Sequence, residues 1–170
     1  MKRNGAFRAD NTMDSLLNIL DGQFAAIDAG SRRLLDVLAE EDLFRQPRPL
    51  ERTYAMFSCG EYILRSAAAV EQTFGGITTK LWDDPFEWTL PEKLSSIAAV
   101  VEYLNDVEET RQRGFAFFTS DTDLLKQMPA PEKVKPIAQI LLETVSRSRH
   151  FQGRAFAVFQ MISDTKLPAM

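Results

Sequence analysis

The chain has 170 residues, a formal net charge of −4 and a hydrophobic fraction of 45%. This length and composition are typical of one globular domain and exclude a largely disordered chain. Acidic and basic residues are interspersed, so no basic patch for nucleic acid or for a membrane surface stands out. The single cysteine, Cys59, excludes an intramolecular disulfide, and no apolar run has the length of a secretory signal or a membrane span. We therefore expect a cytoplasmic protein with no nucleic-acid or membrane partner.

The first two helices are predicted from apolar residues spaced by three or four positions. This spacing predicts one long helix over residues 13–40. Residues 58–61, Ser-Cys-Gly-Glu, are typical of a capping box, in which the serine hydroxyl and the glutamate carboxylate each accept from the other residue's amide. The helix that begins there is expected to stop at Gly75 and Gly76, because paired glycines commonly end helices.

The second half of the chain begins with an aromatic connection. Residues 77–95 contain Trp82 and Trp88 and two prolines, and this segment predicts an ordered crossover packed on the helices. A third helix is predicted from about Ser95 or Ser96 to Phe118. A short helical turn at 121–127 and a loop at 129–131 follow, and the fourth helix is predicted over 136–163. No strand of useful length is expected.

The order of these elements predicts the fold class. Four helices with one long middle connection indicate an all-α four-helix bundle with a crossover. The bundle is expected to form a single domain over residues 13–163, with flexible tails at 1–12 and 164–170.

The chain is poor in side chains that bind metals or act as nucleophiles. Metal sites on helices need ligands such as histidine pairs four residues apart, and this chain has a single histidine, His150, so no metal or other cofactor is expected. A lone histidine is most simply a surface side chain. Cys59 lies in the first turn of helix two, where the helix dipole favours a thiolate, but the sequence places no base beside it. A small buried side chain is the better interpretation of Cys59.

Three positions lie beside the predicted buried faces of helices two and four. Arg65 follows Ile63 on helix two, and Arg147 and Phe151 are one turn apart on helix four. The simplest interpretation is that both arginines pack their stems along helix edges and hold their charged groups in water.

At these positions the chain resembles the DinB/YfiT-like family of four-helix bundles. The likeness covers residues 16–162 and rests on two segments: residues 58–67, SCGEYILRSA, and residues 145–154, VSRSRHFQGR. The first resembles the family's helix-two segment that ends in a metal-binding histidine. The second is similar to the helix-four motif of two histidines, four apart, before arginine-glycine-glutamine. Members of the family typically hold a divalent metal with these histidines, and the characterised ones are thiol-dependent transferases or isomerases.

The sequence departs from the family at each of the three ligand positions. They hold Arg65, Arg147 and Phe151, and none of these side chains donates to a divalent cation. His150 precedes the last ligand position and points about 100° away from it on an ideal helix. The resemblance therefore implies the fold without the metal chemistry.

Three functions from different classes remain open. The first is a binding or regulatory protein whose helix-two/helix-four cleft takes a small organic anion at Arg65 and Arg147, since guanidinium groups prefer carboxylates and phosphates. The second is an enzyme without metal, such as a thiol transferase, that works through His150 or Cys59. The third is a structural or dimerising protein whose arginines pair with Glu61, Glu108 or Glu143. The sequence does not separate the first from the third.

The partners of the two arginines are predicted from helical spacing. Glu61 and Glu143 each lie four residues before one of them, and a pair at this spacing shares a helix face. We therefore expect Arg65 and Arg147 to be partly buried and paired with these carboxylates or with an anion.

A homodimer is expected from apolar residues outside the main stripes. Such residues cover more than one face of a helix, and monomers avoid exposing patches of this kind. They are Phe115, Phe117 and Phe118 on helix three and Phe151, Phe156 and Val158 on helix four.

Overall fold

Four α-helices dominate the computed structural model, which describes residues 15–48, 56–85 and 92–168. They are α1 (Leu16–Leu35), α2 (Cys59–Thr79), α3 (Ile97–Phe115) and α4 (Ile137–Ile162). Two short 3-10 turns, Glu40–Asp42 and Asp121–Leu125, and two strands, β1 (Gln127–Pro129) and β2 (Val134–Pro136), lie in the connections. The prediction of an all-α four-helix bundle is confirmed. The predicted tail at 1–12, the start of the first helix at Met13, and Trp88 lie outside the described residues.

The second and fourth helices run antiparallel and share the most extensive contact in the bundle. Arg154 near the end of α4 donates to the Tyr62 hydroxyl near the start of α2, at 3.2 Å. Earlier on α4, Arg147 donates to Gln72 in the second half of α2, also at 3.2 Å. The pairing order therefore reverses along the two helices, as antiparallel packing requires.

The second and third helices run parallel, which explains the crossover. Tyr103 near the start of α3 donates to Glu71, and Gly114 near its end packs on the Phe74 ring of α2. Consecutive helices that run parallel need a connection as long as a helix to return the chain to the starting end. Residues 80–96 provide this return. The connection between α1 and α2, residues 36–58, is also long and contains the 3-10 turn Glu40–Asp42.

The helix starts combine local caps with caps from distant residues. The predicted capping box is confirmed, because Ser58 Oγ accepts from the Glu61 amide and Glu61 Oε2 accepts from the Ser58 amide. The first amides of α1 donate to the carboxylate of Asp121, and the amide of Ile97 donates to Glu40. These distant carboxylates accept from amides that have no partner within the helix. Their negative charge also interacts favourably with the positive end of each helix dipole.

The first helix is shorter than its apolar pattern predicts. It ends at Leu35 rather than near residue 40. The Val37 and Leu38 amides then bond to carbonyls only three residues back, in tightened turns. These turns keep Leu38 buried, so the apolar spacing continues beyond the end of the α-helix.

The second helix continues through Gly75 and Gly76, which do not stop it. It ends at Thr79, followed by Lys80 in the left-handed conformation at φ 66°. Gly76 is required for packing instead: a Cβ atom at this position would lie 2.3 Å from Cδ2 of Trp82. The glycine thus lets the crossover tryptophan pack on the backbone of α2.

Substitution by alanine at the two adjacent glycines is expected to change the stability of the protein in opposite directions. We expect Gly76→Ala to displace Trp82 and to lower the free energy of unfolding by about 1–3 kcal/mol, the usual cost of overpacking. Gly75→Ala is the matched control, because its Cβ would meet nothing within 4 Å. The control should raise stability by up to about 1 kcal/mol through helix propensity. Urea unfolding followed by tryptophan fluorescence measures both, and equal effects would contradict the packing role of Gly76.

A two-stranded antiparallel ribbon stands where a plain loop was expected. β1 and β2 pair from Gln127 with Pro136 to Pro129 with Val134. Each strand has three residues, too few to show the alternation by which strands are recognised in a sequence. The ribbon leads directly into α4 and forms one wall of a groove described below.

The chain itself covers most of the apolar residues that suggested a dimer. Phe156 and Val158 are buried, and Phe115, Phe118 and Phe151 pack against the core. Among the six, only Phe117 is largely exposed, at 61%. The argument from these side chains is therefore wrong, and the homodimer stays a prediction without that support. No helix in the described ranges has the length and apolar character to cross a membrane.

Candidate functional site

Buried hydroxyl groups join the inner sides of α2 and α4. Ser66 Oγ donates to the Ser148 carbonyl at 2.9 Å, and Ser148 Oγ donates to the Ser66 carbonyl at 3.0 Å. One helical turn away from Ser148, buried Gln152 donates to the Ile27 carbonyl of α1. Each polar group is satisfied, so this inner seam holds the helices together and leaves no donor for a ligand.

The three positions that the resemblance singles out lie along the outer side of the same interface. Arg147 reaches across to the carbonyl of Ala69, one turn beyond Arg65 on α2. Phe151 stacks on Tyr62, which lies less than one turn before Arg65. These two contacts join Arg147 and Phe151 of α4 to the part of α2 that carries Arg65.

Three aromatic rings in succession are flanked by arginines on this side of the α2–α4 interface. The Arg65 guanidinium carbon lies 3.9 Å from the centroid of the Phe57 ring. The Tyr62 ring contacts Phe57 edge-on at 5.5 Å and stacks on Phe151 at 6.5 Å. We call this group the guanidinium–aromatic stack; its members are Phe57, Tyr62, Arg65, His150, Phe151 and Arg154.

His150 and Arg154 close the stack at one end. Arg154 Nε donates to His150 Nε2 at 3.0 Å, which assigns the proton of a neutral imidazole to Nδ1. The other end of the same guanidinium donates to the Tyr62 hydroxyl, and its carbon lies 5.8 Å from the Tyr62 ring. Sequence reasoning missed Arg154, although its position four residues after His150 on α4 was a usable signal.

The predicted carboxylate partners of the two arginines are wrong. Glu61 accepts from the Ser58 amide and hydroxyl and from Gln46 instead of from Arg65. Glu143 accepts from Lys135 at 2.7 Å and from Gln139, instead of from Arg147. Helix spacing set these pairs within reach, but the capping box and the ribbon supply closer donors.

Glu108, the third carboxylate considered, also has a different partner. It accepts from Nε and Nη2 of Arg111, which is 5% exposed and lies against Asp21 of α1. This ion-pair cluster joins α1 to α3, on the opposite side of α2 from the guanidinium–aromatic stack. Beside it lies a cavity of about 20 Å³, which has room for one water molecule.

Neither Arg65 nor Arg147 has a carboxylate within 4 Å in the described ranges. Arg65 is half-buried and rests on Phe57. Arg147 is more exposed, and its Nη2 donates to Gln72 and, at 3.5 Å, to the Ala69 carbonyl. Burial lowers the pKa of Arg147, and the fields of Asp84 and Glu143 oppose that shift. Among the described residues, both guanidinium groups are thus contacted chiefly by uncharged groups.

Cys59 is enclosed by the bundle. It is 0% exposed, and its Sγ contacts the Ala155 carbonyl at 3.6 Å. Burial raises the pKa of the Cys59 thiol to about 12, and the Asp42 carboxylate adds to this shift. The interpretation as a small buried side chain is confirmed, and the helix dipole does not overcome desolvation here.

A second recess opens where α2 and α4 meet the ribbon. It has a volume of about 210 Å³, and we call it the ribbon groove. Its principal lining residues are Gln72, Trp82, Glu132, Lys135, Glu143 and Arg147. Arg147 therefore lies both in this groove and beside the stack, and links the two.

Within the described ranges, no three histidine, cysteine, aspartate or glutamate side chains gather as a metal-binding group. We expect the purified, dialysed protein to hold no stoichiometric divalent metal, because a zinc site needs at least three donors and the chain has one histidine and one buried cysteine. Elemental analysis measures this directly. Near-equimolar zinc, nickel or iron that withstands dialysis would contradict the prediction.

Comparison with known proteins found no match: no family model, no curated protein and no solved structure is significantly similar to this chain. The resemblance to the DinB/YfiT-like family therefore stays an expectation that rests on the sequence of residues 58–67 and 145–154.

Proposed function

We propose that this protein is a DinB/YfiT-like bundle without the family's metal site, and that it binds a small organic anion in the groove between α2 and α4. One observation carries the proposal. The Arg65 guanidinium is stacked 3.9 Å from the Phe57 ring centre, and no described carboxylate lies within ion-pair distance of it.

The stacked geometry suits an anion because of the shape of the guanidinium group. An aromatic ring engages the flat face of the cation, and the N–H edge remains available for two parallel hydrogen bonds to a carboxylate or phosphate. Arg147 and Arg154 add positive charge along the same groove, in a chain whose net charge is −4. The adjoining Phe151 and Tyr62 rings would favour an anion that carries an apolar or aromatic part.

The two alternatives receive less support from the described residues. A thiol transferase that works through Cys59 would need an accessible thiolate, and Cys59 is fully buried and protonated at neutral pH. His150 alone has no nucleophile beside it within the stack. A purely structural role would leave Arg65 and Arg147 without the carboxylates that were expected to pair with them.

Arg65→Gln is expected to weaken binding of benzoate, our test anion, by about tenfold or more. The loss of a hydrogen bond from a charged donor costs about 1.5–3 kcal/mol, and 1.4 kcal/mol corresponds to tenfold. Isothermal titration calorimetry at low ionic strength measures the two dissociation constants.

Two controls accompany this measurement. Arg33→Gln removes an exposed arginine from α1, which lies diagonally across the bundle from α2, and should leave the affinity for benzoate unchanged. Benzamide has the same shape as benzoate without the charge and should bind far more weakly. Equal binding of the two compounds, or equal affinity in the two variants, would rule out the proposed anion site.

A further inference from the structure

The ribbon groove contains charges of both signs. Lys135 on β2 is 13% exposed and donates to Glu143 of α4 at 2.7 Å. Its Nζ is also 3.9 Å from Glu132, whose side chain is 84% exposed. Glu143 already neutralises the lysine, so Glu132 contributes a second negative charge at the ribbon end of the groove.

The opposite end of the groove is positive. Arg147 lies one turn beyond Glu143 on α4, and its acceptors among the described residues are uncharged: Gln72 and the Ala69 carbonyl. Both of these hydrogen bonds come from Nη2, and no residue of the described ranges accepts from Nε or Nη1. The order along the groove is therefore a cation, a neutralised pair and a carboxylate.

We propose that the ribbon groove binds a small zwitterion of the amino-acid class, with its carboxylate on Arg147, its ammonium group toward Glu132 and its side chain against Trp82. The inference rests on the proposed function for Arg147 and specifies the ligand class of that end of the α2–α4 groove.

Charge and size both favour a zwitterion over a simple anion here. A monoanion on Arg147 would face Glu132 beyond the neutralised Lys135–Glu143 pair, and the field of Asp84 acts on Arg147 as well. A ligand with an ammonium group turns the repulsion from Glu132 into attraction. The groove of about 210 Å³ is also smaller than pockets for drug-sized molecules, which measure about 300–1,000 Å³.

The test compares matched compounds on the full chain by calorimetry. L-phenylalanine and L-glutamine are the zwitterions; 3-phenylpropanoate lacks the ammonium group of phenylalanine, and 2-phenylethylamine lacks its carboxylate. We expect at least one zwitterion to bind, and L-phenylalanine to bind about fivefold or more tightly than either analogue, as expected for one added ion pair.

Two variants test separately the contact of the ammonium group and the contact of the carboxylate. Glu132→Gln changes an exposed side chain. It should weaken the binding of L-phenylalanine and of 2-phenylethylamine about fivefold and leave the affinity for 3-phenylpropanoate unchanged. Arg147→Gln should weaken the binding of L-phenylalanine and of 3-phenylpropanoate, which both carry a carboxylate. It should leave the affinity for 2-phenylethylamine unchanged. Arg113→Gln on α3, exposed and outside the groove, is the control and should change none of the affinities.

The outcomes distinguish this inference from the proposed function. If neither zwitterion binds, or if 3-phenylpropanoate binds as tightly as L-phenylalanine, the zwitterion site is overturned. Benzoate binding that still depends on Arg65 would then leave the anion site intact. If benzoate, 3-phenylpropanoate and the zwitterions all fail to bind, both proposals are overturned.

Discussion

The Cys59 thiol should react with Ellman's reagent at neutral pH at least about a thousandfold more slowly in the native protein than in the unfolded chain. The thiol is 0% exposed, and burial with the nearby Asp42 carboxylate raises its pKa to about 12. Reaction therefore requires an opening of the bundle, and openings of core residues approach the free energy of global unfolding, about 5–15 kcal/mol. Stopped-flow absorbance with and without guanidinium chloride measures the ratio.

A matched surface thiol provides the reference for this rate. Ser146 is exposed on α4, so Ser146→Cys in a Cys59→Ala background should react at nearly the rate of an unfolded thiol. If native Cys59 reacts within tenfold of this reference, the thiol is accessible. A thiol-transferase function would then have to be reconsidered.

Phe74→Ala should lower the free energy of unfolding by about 3–5 kcal/mol, the usual cost of removing a buried phenylalanine. The Phe74 ring is 0% exposed and packs at 5.1 Å from both Phe24 of α1 and Phe115 of α3. Its removal leaves a cavity where three helices meet. Urea unfolding by circular dichroism measures the loss, and Phe117→Ala, at an exposed position, should change stability by less than about 0.5 kcal/mol.

A double-mutant cycle tests the packing partner of Phe74. A Cβ at Gly114 would lie 2.3 Å from Phe74 Cδ1, so Gly114→Ala alone should cost about 1–3 kcal/mol. In a Phe74→Ala background the clash is absent, and the same change should be neutral or stabilising. Additive effects of the two changes would contradict the contact between Gly114 and Phe74.

The sequence predicts the helices well because each has one buried stripe. The start of α2 at its capping box and the start of α3 after Ser96 follow from local signals. The end of α2 was missed because Gly76 serves a contact with Trp82, and no local pattern distinguishes a packing glycine from a stop signal. The ribbon was missed because its strands have three residues each.

The candidate site is only partly predictable for a related reason. Helical spacing puts Arg147 and Phe151 on one face of α4, and both contact α2. Their partners depend on which competing donors and acceptors the fold supplies. Glu143 bonds to Lys135 of the ribbon, and Arg65 stacks on Phe57 of the α1–α2 connection, through contacts that only the folded chain brings together.

The most direct test of the anion site observes the arginines themselves. In protein labelled with ¹⁵N-arginine, titration with benzoate is expected to shift the Nε–Hε resonance of Arg65 saturably, with smaller shifts for Arg147 and Arg154. The resonances of Arg33 and Arg113, which are exposed on α1 and α3, should stay in place. Shifts of equal size at all five arginines, or no saturable shift at Arg65, would contradict the proposal that this groove binds a small organic anion.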